Sequence, residues 1–79
     1  MTEDQKAMSL ILEFLHAAKG VPMAATRLAS EAKYCGFHND LSGVLDLMED
    51  RKLIERWPDP LGVRRYVMTK AGKGAFDAL

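Results

Sequence analysis

Apolar positions recur at spacings of three and four through the first part of the chain. Ala7, Leu10, Ile11, Phe14, Leu15 and Ala18 thereby line one face of a first helix over residues 3–19. Thr2 stands where an N-cap belongs, Glu3 and Asp4 suit the positive end of the helix dipole, and Lys19 and Gly20 suit its C-terminus. Met8 and Leu12 widen the apolar arc to roughly 200°. That arc has two readings: a helix sunk in its own core, or a Met8/Leu12 contact with a second copy in a homodimer. Val21-Pro22 forces an extended residue and leaves room for a very short strand near residues 21–23. Ala25, Leu28, Ala29 and Ala32 give a second helix over 24–33 a narrow face of small residues. Gly36 supplies the turn that follows, in a left-handed conformation. Leu41, Val44, Leu45 and Met48 mark the inward face of a third helix over 39–52, with Asn39 or His38 as its cap. Residues 53–57 and 63–69 then read as two strands around the turn-forming Pro58-Asp59-Pro60-Leu61-Gly62. Thr69 caps a short final helix that Gly72 and Gly74 both weaken.

The order is therefore helix, helix, helix, hairpin, short helix: one α+β domain over residues 1–79 with no internal repeat. At 79 residues only one core is possible, and packing alone must hold it, because a single cysteine, Cys35, has no disulfide partner within the chain. Lone cysteine usage and an acidic N-terminus with no apolar signal segment lead to the expectation of a cytoplasmic protein. No apolar stretch is long enough to cross a membrane, so a membrane is not expected among the partners. Eleven cations balance eleven carboxylates, a neutrality that first argues against a nucleic-acid partner. The balance is uneven along the chain, however. Residues 51–74 hold seven cations against two carboxylates, a net +5, whereas residues 1–50 hold four against eight, a net −4.

Three separated segments carry a resemblance. Leu45 to Arg56, containing Met48-Glu49 and Leu53-Ile54-Glu55-Arg56, and Tyr66-Val67-Met68-Thr69-Lys70-Ala71-Gly72 follow the helical pair in order and spacing. Together they resemble the winged helix-turn-helix superfamily, in particular its MarR-like and PadR-like branches, over about residues 6–76. The turn glycine usual in those families between the third helix and the first strand of the hairpin is here Lys52. The resemblance implies three helices, a two-stranded β-hairpin wing and a short C-terminal helix. It also implies a DNA-binding protein acting in transcription regulation, of the minimal kind carried by small bacterial and phage or prophage regulators.

On that layout the outward face of helix three holds Asn39, Gly43, Asp46 and Asp50, with Ser42 at its edge. Asn39 has the groups to bond adenine, Ser42 a base or a phosphate, and Asp46 the amino group of cytosine. The face also carries acids and no arginine, which suits a solvated surface or a protein partner equally well. In the wing, Arg64 and Arg65 point to opposite sides of their strand; Arg65 shares the outward side with Val63 and Val67. Wing arginines contact phosphates or a narrow minor groove in DNA binders, or else protect an edge hairpin from aggregation. Arg27, Arg56 and Lys70 complete the set of expected backbone contacts on double-stranded DNA. Trp57 either packs the hairpin on helix three or stacks on a base. The competing reading is a winged-helix adaptor that binds another protein through helix three or helix one.

Catalysis finds little support. Cys35 and His38 make half a zinc site with no second pair at finger spacing, and the same pair lacks an orienting third group for nucleophilic catalysis. Cys35 is expected to be a buried small hydrophobe. Gly72-Lys73-Gly74 has none of the context of a phosphate loop. Neither an enzyme, a metal nor a cofactor is expected.

Overall fold

A computed structural model of the protein describes residues 2–79. Its elements run α1 (Glu3–Ala17), β1 (Met23–Ala24), α2 (Ala25–Tyr34), α3 (Ser42–Asp50), β2 (Ile54–Trp57), β3 (Arg65–Met68) and α4 (Lys70–Asp77). Four helices pack with a three-stranded antiparallel sheet of order β1-β3-β2, a layout compatible with a winged-helix-like arrangement. The expected two-stranded hairpin has gained an edge. β1 begins at Met23, the last residue of the anticipated stretch, and Met23 pairs with Tyr66 and Ala24 with Arg65. Two residues are too few to show a period in sequence; the central strand β3 recruits them.

α1 begins with a capping box. The Thr2 hydroxyl accepts from Gln5 N–H at 3.2 Å, and the Gln5 side chain accepts from Thr2 N–H at 3.0 Å. The helix stops at Ala17 rather than 19, since Lys19 and Gly20 both have positive φ, 53° and 86°. The buried stripe is Ala7, Ile11, Leu12 and Leu15, with Leu10 and Phe14 only partly covered. Leu12, one half of the expected dimer face, is only 4% exposed and belongs to the protomer's own core; Met8 is half-buried against that core. Leu12 thus has no surface to offer a second copy.

α2 starts without a side-chain cap. Ala24 is still paired in the sheet, and the Arg64 carbonyl accepts the first helical N–H, that of Ala25, at 2.9 Å. At its other end Gly36 turns left-handed, so that Gly36 N–H reaches the Lys33 carbonyl and Phe37 N–H the Ala32 carbonyl. Phe37 then drops into the core. Cys35, at the C-cap, is exposed rather than buried, because the turn directs it away from the Ala32–Phe37 contact.

α3 is shorter than the 39–52 its pattern predicts. Neither Asn39 nor His38 caps it. The Asp40 carboxylate instead accepts from Ser42 N–H at 3.0 Å and Ser42 Oγ–H at 2.8 Å. These bonds hold the Asp40 carboxyl below its ordinary value. The bonds to the ionised form are present at neutral pH and are lost as pH falls through the lowered pKa. Leu41, Val44, Leu45 and Met48 are all buried, as their spacing predicts. At the C-terminus, Lys52 N–H bonds the Glu49 carbonyl and Leu53 N–H the Met48 carbonyl, with Lys52 at φ 61°. Lys52 thus occupies the left-handed position that a glycine would fill without strain. Lys52→Gly is expected to stabilise the protein by about 0.5–1 kcal/mol, the relief of a left-handed side chain less the entropy of a glycine. Thermal unfolding would register the gain as a rise of a few degrees.

The hairpin loop, residues 58–64, is held by the Asp59 carboxylate, which accepts Val63 N–H at 2.8 Å, and by Gly62 at φ 76°. Beyond β3, the Thr69 hydroxyl accepts Gly72 N–H at 3.0 Å, capping α4 as expected, and lies within bonding distance of the Lys52 and Leu53 carbonyls. Thr69 therefore ties the start of α4 to the turn after α3. α4 returns across α1, where Phe76 stacks on His16 with ring centroids 4.4 Å apart.

Candidate nucleic-acid interface

The sheet register sorts the hairpin side chains by face. Ile54 opposes Met68 and Arg56 opposes Tyr66, so these four share the face that covers the core, while Trp57, opposite Arg65, and Glu55, opposite Val67, share the other. Arg56 lies on the core side yet remains exposed because it extends past the core to α3. There its Nε lies 3.0 Å from Glu49 Oε2 and 3.1 Å from Oε1. Arg64, one residue before β3, makes the same kind of reach. Its Nη2 is 3.0 Å from Asp46 Oδ1, and its guanidinium carbon lies 5.7 Å from the centre of the Tyr66 ring. These are the two ion pairs among the described residues. The hydrogen bond to Asp46, and secondarily the Tyr66 phenol group, raise the pKa of Arg64 above its ordinary value, so it stays charged.

The expected site residues consequently divide. Asp46 and Arg64 are brought together, as are Arg56 and a residue the pattern does not single out, Glu49. Ser42 is bound to Asp40. Asn39, expected on the outward face of the helix, is exposed in the bend three residues before α3, because the helix begins only at Ser42; Gly43 is exposed in its first turn, and among the described residues nothing stands within 4 Å of where its side chain would project. Arg27 of α2 and Arg65 of β3 are exposed and border one cavity of about 580 Å³ whose apolar wall includes Phe14, Val21 and Met23. Lys70, at the start of α4, borders a different cavity of about 530 Å³ with Lys19 and Lys73. Arg27 and Arg65 therefore do not border the same cavity as Lys70. A third groove, along α3, is lined by Asp46, Glu49, Asp50, Lys52 and Arg56.

Trp57 is 51% exposed on the sheet's outer face and does not pack the hairpin onto α3. With Val63 and the 88%-exposed Leu61 it gives the hairpin an apolar surface. Val67, expected outward beside Arg65, is instead buried, bordering the Lys19/Lys70 cavity with Gly20 and Val21.

Tyr66 is fully buried, yet its hydroxyl has no hydrogen-bond partner among the described residues, and the same holds for Arg64 Nε. A buried unpaired hydroxyl is destabilising. Tyr66→Phe, which keeps the ring beneath Arg64, is expected to raise stability by about 1 kcal/mol, measurable as an increased urea midpoint at unchanged slope.

Neither sequence pairing in the hairpin nor periodicity in α3 announces the Asp46–Arg64 and Glu49–Arg56 contacts, which join residues 18 and seven positions apart. Comparison with family models, with curated proteins and with solved structures finds no match to this chain.

Proposed function

We propose that the protein is a small DNA-binding regulator of the winged helix-turn-helix type, in which α3 enters the major groove of a duplex and the hairpin lies along its backbone. The contiguity of the hairpin with α3 carries this reading: guanidinium groups of Arg56 and Arg64 lie against the outward acids of α3 at 3.0 Å. Helix and hairpin therefore present one surface rather than two. Arg65 supports it as an exposed cation of the same hairpin without an ion-pair partner among the described residues. Arg27 lies beside it around one cavity. Gly43 leaves the first turn of α3 open to base edges, and Asn39 is exposed in the bend that leads into it.

Fluorescence anisotropy with a random-sequence duplex tests the proposal. The expected result is non-specific binding with Kd of about 10⁻⁴ M or tighter at physiological salt, weakening steeply as salt rises. Arg65→Ala should lower the salt slope by about one with little change in unfolding temperature. Absence of binding at low salt would remove the proposal. A second reading, an adaptor that binds another protein through the hairpin, is favoured by the apolar exposure of Trp57, Leu61 and Val63.

A further inference from the structure

Two features of α3 stand in tension with a DNA-facing role: it carries acids, and those acids hold arginines that would otherwise meet phosphate. The geometry gives the two features one explanation. Asp46 and Glu49 are three residues apart, so they lie on neighbouring positions of one helix face. Each engages a single guanidinium from a different part of the hairpin, Arg64 beside β3 and Arg56 on β2. All four side chains are open to solvent, from 32% for Glu49 to 61% for Asp46. Such pairs are weak and exchange readily with another anion. The Arg64 guanidinium also lies by the buried Tyr66 ring. Withdrawal of Asp46 therefore leaves this cation held near its present place rather than released into solvent.

We infer that Arg56 and Arg64 form a paired phosphate-binding site for a nucleic-acid backbone, and that Asp46 and Glu49 are internal competitors occupying it in the free protein. This inference rests on the DNA-binding reading and deepens it. A phosphate must displace a carboxylate to reach either arginine, so part of the electrostatic attraction to any duplex is cancelled. The displacement costs every duplex alike, and non-specific binding, which is almost wholly electrostatic, has no other contacts to offset it. A duplex that also satisfies the exposed groups at the start of α3 gains contacts that offset the displacement. The acids thus lower the affinity for every duplex to a level that only one offering those further contacts rises above. The neutral composition of the chain follows the same logic, since the acids that balance two hairpin arginines lie against them.

A double-mutant cycle read by anisotropy on a random-sequence duplex tests this. Asp46→Asn with Glu49→Gln should tighten binding at least about tenfold and steepen the salt slope by about two, one for each arginine freed. The same two changes made in an Arg56→Gln, Arg64→Gln background should alter affinity less than about twofold, because no competed cation remains. Asp46→Ala with Glu49→Ala, which cannot rebuild a hydrogen bond to arginine, should match the amide variant. Circular dichroism melts check that each variant is folded. An equal gain in both backgrounds would show general repulsion by α3 and overturn the competition. Unchanged affinity in the Asn/Gln variant, with the unmodified protein binding normally, would overturn it while leaving the DNA reading intact. Failure of every variant to bind would remove that reading and the competition with it.

Discussion

Gly72→Ala is expected to cost about 3 kcal/mol or more, whereas Gly74→Ala, two residues along the same helix, is expected to stabilise the protein by up to about 1 kcal/mol. Helix propensity favours alanine at both positions. The surroundings differ completely. A Cβ on Gly72 would run into the Leu53 carbonyl oxygen and stand 2.9 Å from Met68 Cγ, whereas among the described residues nothing lies within 4 Å of one on Gly74. The methionine side chain has room to bend; the carbonyl does not. Leu53 O accepts Thr69 N–H at 3.1 Å and lies 3.0 Å from Thr69 Oγ1, so backing it away loosens the Thr69 anchor that joins α4 to the turn after α3. A chain of this length has a total stability of roughly 4–12 kcal/mol, which makes the predicted loss a large fraction of the whole. Urea unfolding of both variants by circular dichroism checks the pair. Equal stability of Gly72→Ala and the unmodified protein would refute the close packing of α4 on the Leu53 carbonyl.

Met48→Ala is the second large effect, expected at about 2–5 kcal/mol. Met48 is fully buried in the core, on a helix that packs chiefly against α1 and β2. Its carbonyl also accepts Leu53 N–H in the turn that leads into the hairpin. Truncation empties space within that core, and a helix of nine residues has little intrinsic stability to hold its place without such packing. Met48→Leu, which nearly conserves volume, should cost less than about 1.5 kcal/mol. If the alanine and leucine variants melted together, the cavity argument would fail. Because α3 carries Asp46 and Glu49, a loosened α3 should also release their hold on Arg64 and Arg56.

Much of the fold was legible because its signals are local. The spacing of Leu41, Val44, Leu45 and Met48 marks a buried helix face, and all four are buried. Thr69 marks a cap, and Gly36 a left-handed turn. Boundaries were less legible. Asp40, two residues ahead of α3, rather than Asn39 or His38 supplies the side-chain bonds to its first residue, and any of the three satisfies composition alone. The facing of α1 also shifted. Leu12 lies within its buried stripe while Leu10 and Phe14 remain at the margin, because an arc this wide permits several rotations and only the neighbouring elements select one.

The expected interface was legible as residue types but not as partners. Segregation of charge along the chain, acidic before residue 50 and basic after it, describes sequence and not space. Once the hairpin folds back, Arg56 and Arg64 meet Glu49 and Asp46, so part of the segregation cancels. Trp57 is exposed because its strand register places it beside Arg65 on the outer face, a parity set by pairing with β3.

Element order, the inward face of α3 and the turn chemistry at Gly36 and Thr69 follow from the sequence, because periodicity, capping and positive φ depend on neighbours within about one helical turn. Tertiary structure alone decided the pairing of the short first strand with β3, the left-handed placement of Lys52, the intolerance of Gly72 and the pairing of α3 acids with hairpin arginines. Each depends on groups that approach only after the chain has closed on itself, and in a domain this small one such approach determines which charges remain free to meet a partner.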